Sequence, residues 1–184
     1  MKNSPEKVIL EQAKRFDVQA LEEIFDNHSP GIYRYAYRLL GDTELARECM
    51  AETFSRFLTA LKQDGGPDNY LQAYLYRIAH NWITDYYRRK VPPTLPLDKV
   101  NLTDSTAEPH QVMADHMSSQ QLREALSLLT PDQRQVIVLK YIEEWENKAI
   151  SLALNRPVGA IKALQHRGLE ALRRILNRYK DFDV

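Results

Sequence analysis

Apolar positions recur every three or four residues along nearly the whole chain, and no stretch keeps the apolar/polar alternation of a half-buried strand, so the pattern predicts an all-α protein. Caps and breakers divide that pattern into elements. Ser4-Pro5 and Ser29-Pro30 each set a capping hydroxyl before a proline suited to a first helical turn, and Asp17 and Asp42 can cap helices that begin at Val18 and Thr43. With Gly41 and the Gly65-Gly66-Pro67 run as stops, helices are expected at about 5–15, 18–27, 30–40, 43–62 and 70–90. Together they make one compact helical domain over residues 1–90.

Pro92, Pro93, Pro96 and Pro109 then forbid a continuous helix, and Asn, Thr, Ser and Asp fill the gaps, so residues 91–114 read as a linker. Its 24 residues reach about 80 Å if fully extended at ~3.3 Å each. As a flexible coil they average nearer ~27 Å. Helical spacing resumes with Leu122, Ala125, Leu126 and Leu129, and Thr130 and Gln133 form a capping box around Pro131. A short helix, about Asn147 to Leu154, a tight Asn155-Arg156-Pro157 turn and a long helix from Val158 to about Tyr179 follow the helix-turn-helix plan. The expected architecture is two small helical domains joined by an extended linker, the second domain (115–184) containing the helix-turn-helix.

Composition narrows the function classes. The 184 residues carry 25 Lys+Arg against 25 Asp+Glu, yet from Lys148 to Lys180 eight bases face only Glu170. That stretch reads either as an electrostatic footprint for phosphate or as a solvated helix face. Nothing approaches 18 consecutive apolar residues and the N-terminus lacks a signal-peptide pattern, so no membrane span is expected and the chain should remain cytoplasmic. Cys49 is the single cysteine and the five histidines are scattered, so no metal or other cofactor is expected.

In the helix from Tyr70 to Lys90, Leu71, Leu75, Ile78, Ala79 and Trp82 can form a buried stripe, leaving Arg77, Asn81, Asp85, Arg88 and Arg89 for other faces. Tyr70, Tyr74, Tyr86 and Tyr87 add aromatic surface. Interleaved bases and rings suit single-stranded nucleic acid; the alternative is a core helix whose tyrosines edge the core. Glu48 and Glu52 lie one turn apart, but such a pair is ordinarily surface charge, and no phosphate loop or nucleophile elbow appears. No catalytic residue is predicted. His80 and His166 are expected to face solvent or DNA.

These residues resemble the extracytoplasmic-function sigma factors, the compact two-domain initiation subunits of bacterial RNA polymerase. Gly41-Asp42 through Phe54 is similar to the family's G-D-x-x-x-A-E-D-L-x-Q-E-x-F segment, with Arg47 and Ala51 in place of its Glu and Gln. Tyr74-Leu75-Tyr76-Arg77-Ile78-Ala79-His80-Asn81 with Asp85-Tyr86-Tyr87-Arg88-Arg89 is close to W-L-x-x-I-A-x-N…D-x-x-R-R, and Leu129 to Leu139 resembles L-x-x-x-x-R-x-V-x-x-L. The resemblance implies core RNA polymerase as partner, through its beta-prime clamp and beta flap, together with promoter DNA and an anti-sigma factor. It implies polymerase binding through Glu48, Glu52, Phe54, Phe57 and Leu58, and minus-ten DNA binding through Asn69, Tyr70, Tyr74, Asn81, Asp85 and Arg88. Arg77 reaches phosphate or packs on its own domain.

For the minus-thirty-five element the candidates are Arg156, Lys162, Ala163, Gln165, His166 and Arg167. The family's Thr, Ser and Arg are replaced here by Ala160, Ala163 and Leu164, so direct readout rests on few polar side chains, with alanine methyls against thymine. Leu164 either joins the apolar stripe of Ile161, Gly168, Leu172 and Ile175, the preferred reading, or meets a thymine methyl. Promoter elements about 17 base pairs apart lie about 58 Å from one another, which requires the linker to be stretched by the polymerase. The alternative function is a helix-turn-helix regulator that binds DNA without polymerase.

Overall fold

The computed structural model describes residues 5–90, 122 and 124–182, and among these every regular element is helical. The first domain comprises α1 (Pro5–Lys14), α2 (Val18–Leu40), α3 (Thr43–Lys62) and α4 (Leu71–Lys90). The second comprises α5 (Pro131–Ile137), a π-helical turn (Val138–Ile142), α6 (Asn147–Leu154) and α7 (Val158–Phe182), with helical residues 124–127 leading into α5. The Ser4 cap and the linker expected at 91–114 lie outside the described residues.

The aspartate caps form as the sequence requires. Asp17 accepts from the Ala20 amide at 3.0 Å and Asp42 from the Leu45 amide at 2.9 Å, each satisfying a donor that the first helical turn leaves open. Gly41 ends α2 at φ +71°, where its N–H bonds the Tyr37 carbonyl. The break expected at Ser29-Pro30 is corrected: α2 runs unbroken from Val18 to Leu40 with Pro30 inside it. Pro30 is exposed, while Ile24, Ile32, Tyr35 and Leu39 bury one continuous face against α3 and α4. Burial of that long face outweighs the one hydrogen bond a proline removes.

Thr130 and Gln133 complete the capping box of α5. Behind it the backbone loosens into the π turn, where Glu143 N–H reaches back to the Val138 carbonyl at 3.0 Å. Gly168 lies where α7 crosses α5: a Cβ there would stand 2.9 Å from Cγ1 of Ile137, so the absent side chain lets the two helices meet. Ile161, Leu164 and Leu172 pack inward from the same helix, and the expected burial of Leu164 is observed.

Candidate nucleic-acid interface

Five of the side chains on α4 share one stripe. Tyr74, Arg77, Asn81, Asp85 and Arg88 fall at i, i+3, i+7, i+11 and i+14, away from the buried Leu71, Leu75, Ala79 and Ile83. Asn81 and Arg88 are exposed, and Asp85 pairs with Arg88 at 3.0 Å. Arg77 lies with its guanidinium carbon 5.4 Å from the Tyr74 ring centre, so it packs on its own domain. Tyr74 in turn sits edge-on to Phe57 at 6.3 Å.

The loop ahead of α4 brings further candidates to the top of this stripe. Gly65 N–H bonds the Ala60 carbonyl at 2.9 Å, and Asp64, Gly66 and Tyr70 all take positive φ, folding residues 63–70 into a tight cap. Helix α1 braces it: Glu6 accepts from the Leu71 amide at 2.8 Å, and Lys14 pairs with Asp68 at 2.5 Å. The result is a cavity of about 290 Å³ lined by Gly66, Asn69, Tyr70, Tyr74, Arg77 and, from α6 of the second domain, Leu152. Asn69, Tyr70 and Tyr74 are thus brought together, while Asn81, Asp85 and Arg88 continue down the helix. The pairing of Glu6 and Lys14 with this loop had no counterpart in the sequence reading, because both partners lie more than fifty residues away.

Two residues expected on the polymerase-facing surface are core instead. Phe54 tilts against Phe25 at 4.8 Å and Phe57 is almost fully buried, because both fall on the face of α3 that packs against α2 and α4. Glu48 and Leu58 are exposed, and Glu52 pairs with Arg56 at 2.7 Å. Cys49 is buried on the inner face, and burial pushes its thiol up to about 12.

In the second domain Asn155 takes φ +51° at the end of α6, and Ser151 Oγ donates to the Arg156 carbonyl at 2.6 Å, which fixes the turn into α7. Lys162, Ala163, His166 and Arg167 project from the exposed face of α7, with His166 3.5 Å from Glu170. Arg156 is held by Asp132 at 2.7 Å. Gln165 is corrected: it is nine-tenths buried and its Nε2 donates to Asn147 Oδ1 at 2.6 Å, so it ties α7 to α6 and leaves the exposed face. The positions at which a helix meets its partner helix decide this, and spacing within one helix does not reveal them.

A seam joins the two domains. Arg134 is buried and its guanidinium caps two helix ends at once: Nη1 donates to the Leu39 carbonyl at 3.2 Å and the Tyr87 hydroxyl at 2.9 Å, Nη2 to the Ser127 and Leu129 carbonyls at 2.6 and 3.2 Å. Tyr87 also donates to Leu39 O. Arg38 pairs with Glu143, and the Tyr76 ring lies 4.5 Å from that of Trp145. The π turn fixes this presentation, since Trp145 N–H bonds Leu139 O at 2.9 Å and its carbonyl accepts from Lys140 at 3.2 Å. His80, expected to face solvent or DNA, is buried in the seam. Burial lowers its pKa, with Asp132 opposing and Arg156 reinforcing that shift.

Among the described residues no helix is long and apolar enough to cross a membrane. The family model for Sigma-70 region 2 matches residues 24–91 and that for Sigma-70, region 4 matches residues 119–172. The ECF RNA polymerase sigma factor SigW of Bacillus subtilis is 33% identical over 177 residues, covering 91% of this chain and 94% of its own length. The RNA polymerase sigma-E factor of Streptomyces avermitilis is 30% identical over 176 residues, covering 91% and 90%. In fold, the chain is similar to CnrH, solved in complex with the cytosolic domain of CnrY, at a TM-score of 0.73 and 20% identity over 95% of this chain and 99% of that one. It is also similar to the sigma factor RpoE of Bartonella quintana, solved with the anti-sigma factor NepR, at 0.63 and 17% over 85% and 96%.

Proposed function

Because the chain belongs to the extracytoplasmic-function branch of the sigma-70 family and is an RNA polymerase sigma factor, we propose that its two faces divide the promoter between them. The first domain, residues 1–90, takes single-stranded minus-ten bases through Asn69, Tyr70, Tyr74, Asn81, Asp85 and Arg88. The single observation that carries this is the alignment of Tyr74, Asn81, Asp85 and Arg88 on one stripe of α4 that leads into the loop cavity. A ring, an amide and a guanidinium in succession can stack on a base, read its edge and follow the phosphate. The second domain, residues 115–184, presents Lys162, Ala163, His166 and Arg167 to minus-thirty-five duplex, with Arg156 at the turn.

Core polymerase is held through Glu48, Glu52 and Leu58 on the outer side of α3, with the 91–114 linker stretched between the two DNA-binding units. Sigma factors are not enzymes, and this chain contributes no catalytic step of its own: it acts in the cytoplasm by positioning polymerase and capturing melted DNA. An anti-sigma factor is its regulatory partner, as NepR is solved with the sigma factor RpoE. A pull-down with core polymerase followed by permanganate probing tests the reading. Asn81→Ala is expected to leave initial promoter binding in place while reducing thymine reactivity at minus ten, and wild-type reactivity in that variant would make Asn81 structural. A regulator acting without polymerase would instead bind duplex tightly as the free chain.

A further inference from the structure

Two tethers from α1 land on either side of the pair Asn69 and Tyr70. Lys14 Nζ pairs with Asp68 Oδ1 at 2.5 Å, and Glu6 Oε1 accepts from the Leu71 amide at 2.8 Å. We infer that Glu6 and Lys14 are positioning residues for base selection: through these tethers α1 holds Asn69 and Tyr70 in the conformation that admits a minus-ten base. The N-terminal helix thereby sets the specificity of a cavity to whose lining, among the described residues, it contributes nothing. This role rests on the assignment of the 63–70 loop to minus-ten bases.

The backbone between the tethers needs holding. Tyr70 takes φ +54°, a conformation that costs free energy in a residue with a side chain and persists only where the surroundings impose it. Glu6 grips the amide immediately after it, and the Tyr70 carbonyl accepts from Tyr74 N–H at 3.0 Å, so the peptide unit that follows Tyr70 is fixed at both its donor and its acceptor. Upstream, Pro67 is buried and Gly65 N–H bonds the Ala60 carbonyl at 2.9 Å, which anchors the loop to α3.

The side chains of Asn69 and Tyr70 are held by nothing comparable. Both are exposed, and among the described residues neither makes a hydrogen bond or a ring contact. A fixed backbone carrying free side chains is a preorganised binding pair, ordered before the base arrives. Helix α1 is itself rigidly seated, because Leu10 and Ala13 bury it against the core. The two tethers are unequal. The Asp68 carboxylate is exposed and its ion pair is screened by water, whereas Glu6 is half-buried and its bond to the amide is charge-assisted. Glu6 therefore carries the larger share.

Transcription by core polymerase with the full chain, from a library randomised across the minus-ten element, tests the inference. Asn69→Ala and Tyr70→Ala first identify the position that the loop reads. Glu6→Ala is expected to flatten preference at that same position by about five-fold and at no other, with core binding unchanged. Glu6→Gln keeps an acceptor oxygen and should restore part of the preference. Lys14→Asp should lower it by about two-fold, and Lys14→Asp with Asp68→Lys should recover it. Circular dichroism checks that each variant remains helical, and if Glu6→Ala does not, Glu6→Gln and the Lys14 variants decide. A role in stability alone would lower output from every sequence alike; an unchanged profile of that kind, or equal flattening at the position read by Asn81, overturns the inference. If Asn69→Ala and Tyr70→Ala leave every position unchanged, the minus-ten reading of the loop falls and the inference with it. If they flatten one position and the α1 variants do not, the inference alone falls.

Discussion

Tyr76 and Trp145 meet with ring centres 4.5 Å apart and planes tilted by 51°, a contact that joins the middle of α4 to the segment just ahead of α6. Both rings are nine-tenths buried or more. Trp145→Ala removes the larger ring from a packed site and is expected to cost ~3–5 kcal/mol. Urea denaturation followed by circular dichroism measures it, and a loss below about 1 kcal/mol would show that the seam closes around the gap.

Acidification should loosen the same seam. The closed state holds His80 below its ordinary value of 6.5, first because it is buried, with Asp132 pulling the value up and Arg156 pushing it down. Above that ordinary value both closed and open forms are neutral and the equilibrium is independent of pH. As pH falls below about 6.5 the open form takes a proton that the closed form resists, so closure weakens. The near-ultraviolet circular dichroism of the packed Tyr76 and Trp145 rings should therefore weaken between pH 7 and pH 5, and His80→Gln should flatten that dependence. His28, also lowered by burial with Glu6 opposing, lies in the first domain and contributes only to its unfolding.

The brace from α1 has its own signature. Glu6 caps the first turn of α4 across the chain, so Glu6→Gln weakens a charge-assisted cap and should cost about 0.5–2 kcal/mol. Amide exchange at Leu71 should quicken while exchange within α7 does not change. Equal quickening in both helices would make the effect global.

Readout at the minus-thirty-five element should rest on two side chains. Lys162→Ala and Arg167→Ala are each expected to relax preference at a different base pair by ~1–3 kcal/mol, whereas Arg173→Ala should weaken all sequences alike and lower the salt slope by about 1. Transcription from a library randomised across that element separates the two behaviours. Unchanged preference in both variants would put another face of α7 in the groove.

Features governed by neighbours in sequence were legible in it. The Asp17 and Asp42 caps, the Thr130–Gln133 box, the Asn155 turn and the burial of Leu164 all follow from residues within one or two turns. Pro30 was misjudged because a Ser-Pro pair signals a start only when nothing longer competes, and here one buried face spans the whole of α2. Apolar residues from Leu45 to Leu61 cover too wide an arc of α3 to say which of Phe54, Phe57 and Leu58 stays outside; packing against α2 and α4 leaves only Leu58 there. Gln165 and His80 read as surface residues because their partners, Asn147 and the residues of α5, are remote in sequence.

Cys49, enclosed between α3 and α4, keeps its proton throughout the range of cellular pH. Peroxides and disulfide reagents attack thiolates they can reach, and this sulfur is neither ionised nor accessible. A cell that used this factor to answer oxidative stress would have to place the chemical sensor in another molecule and pass the signal on as binding or release.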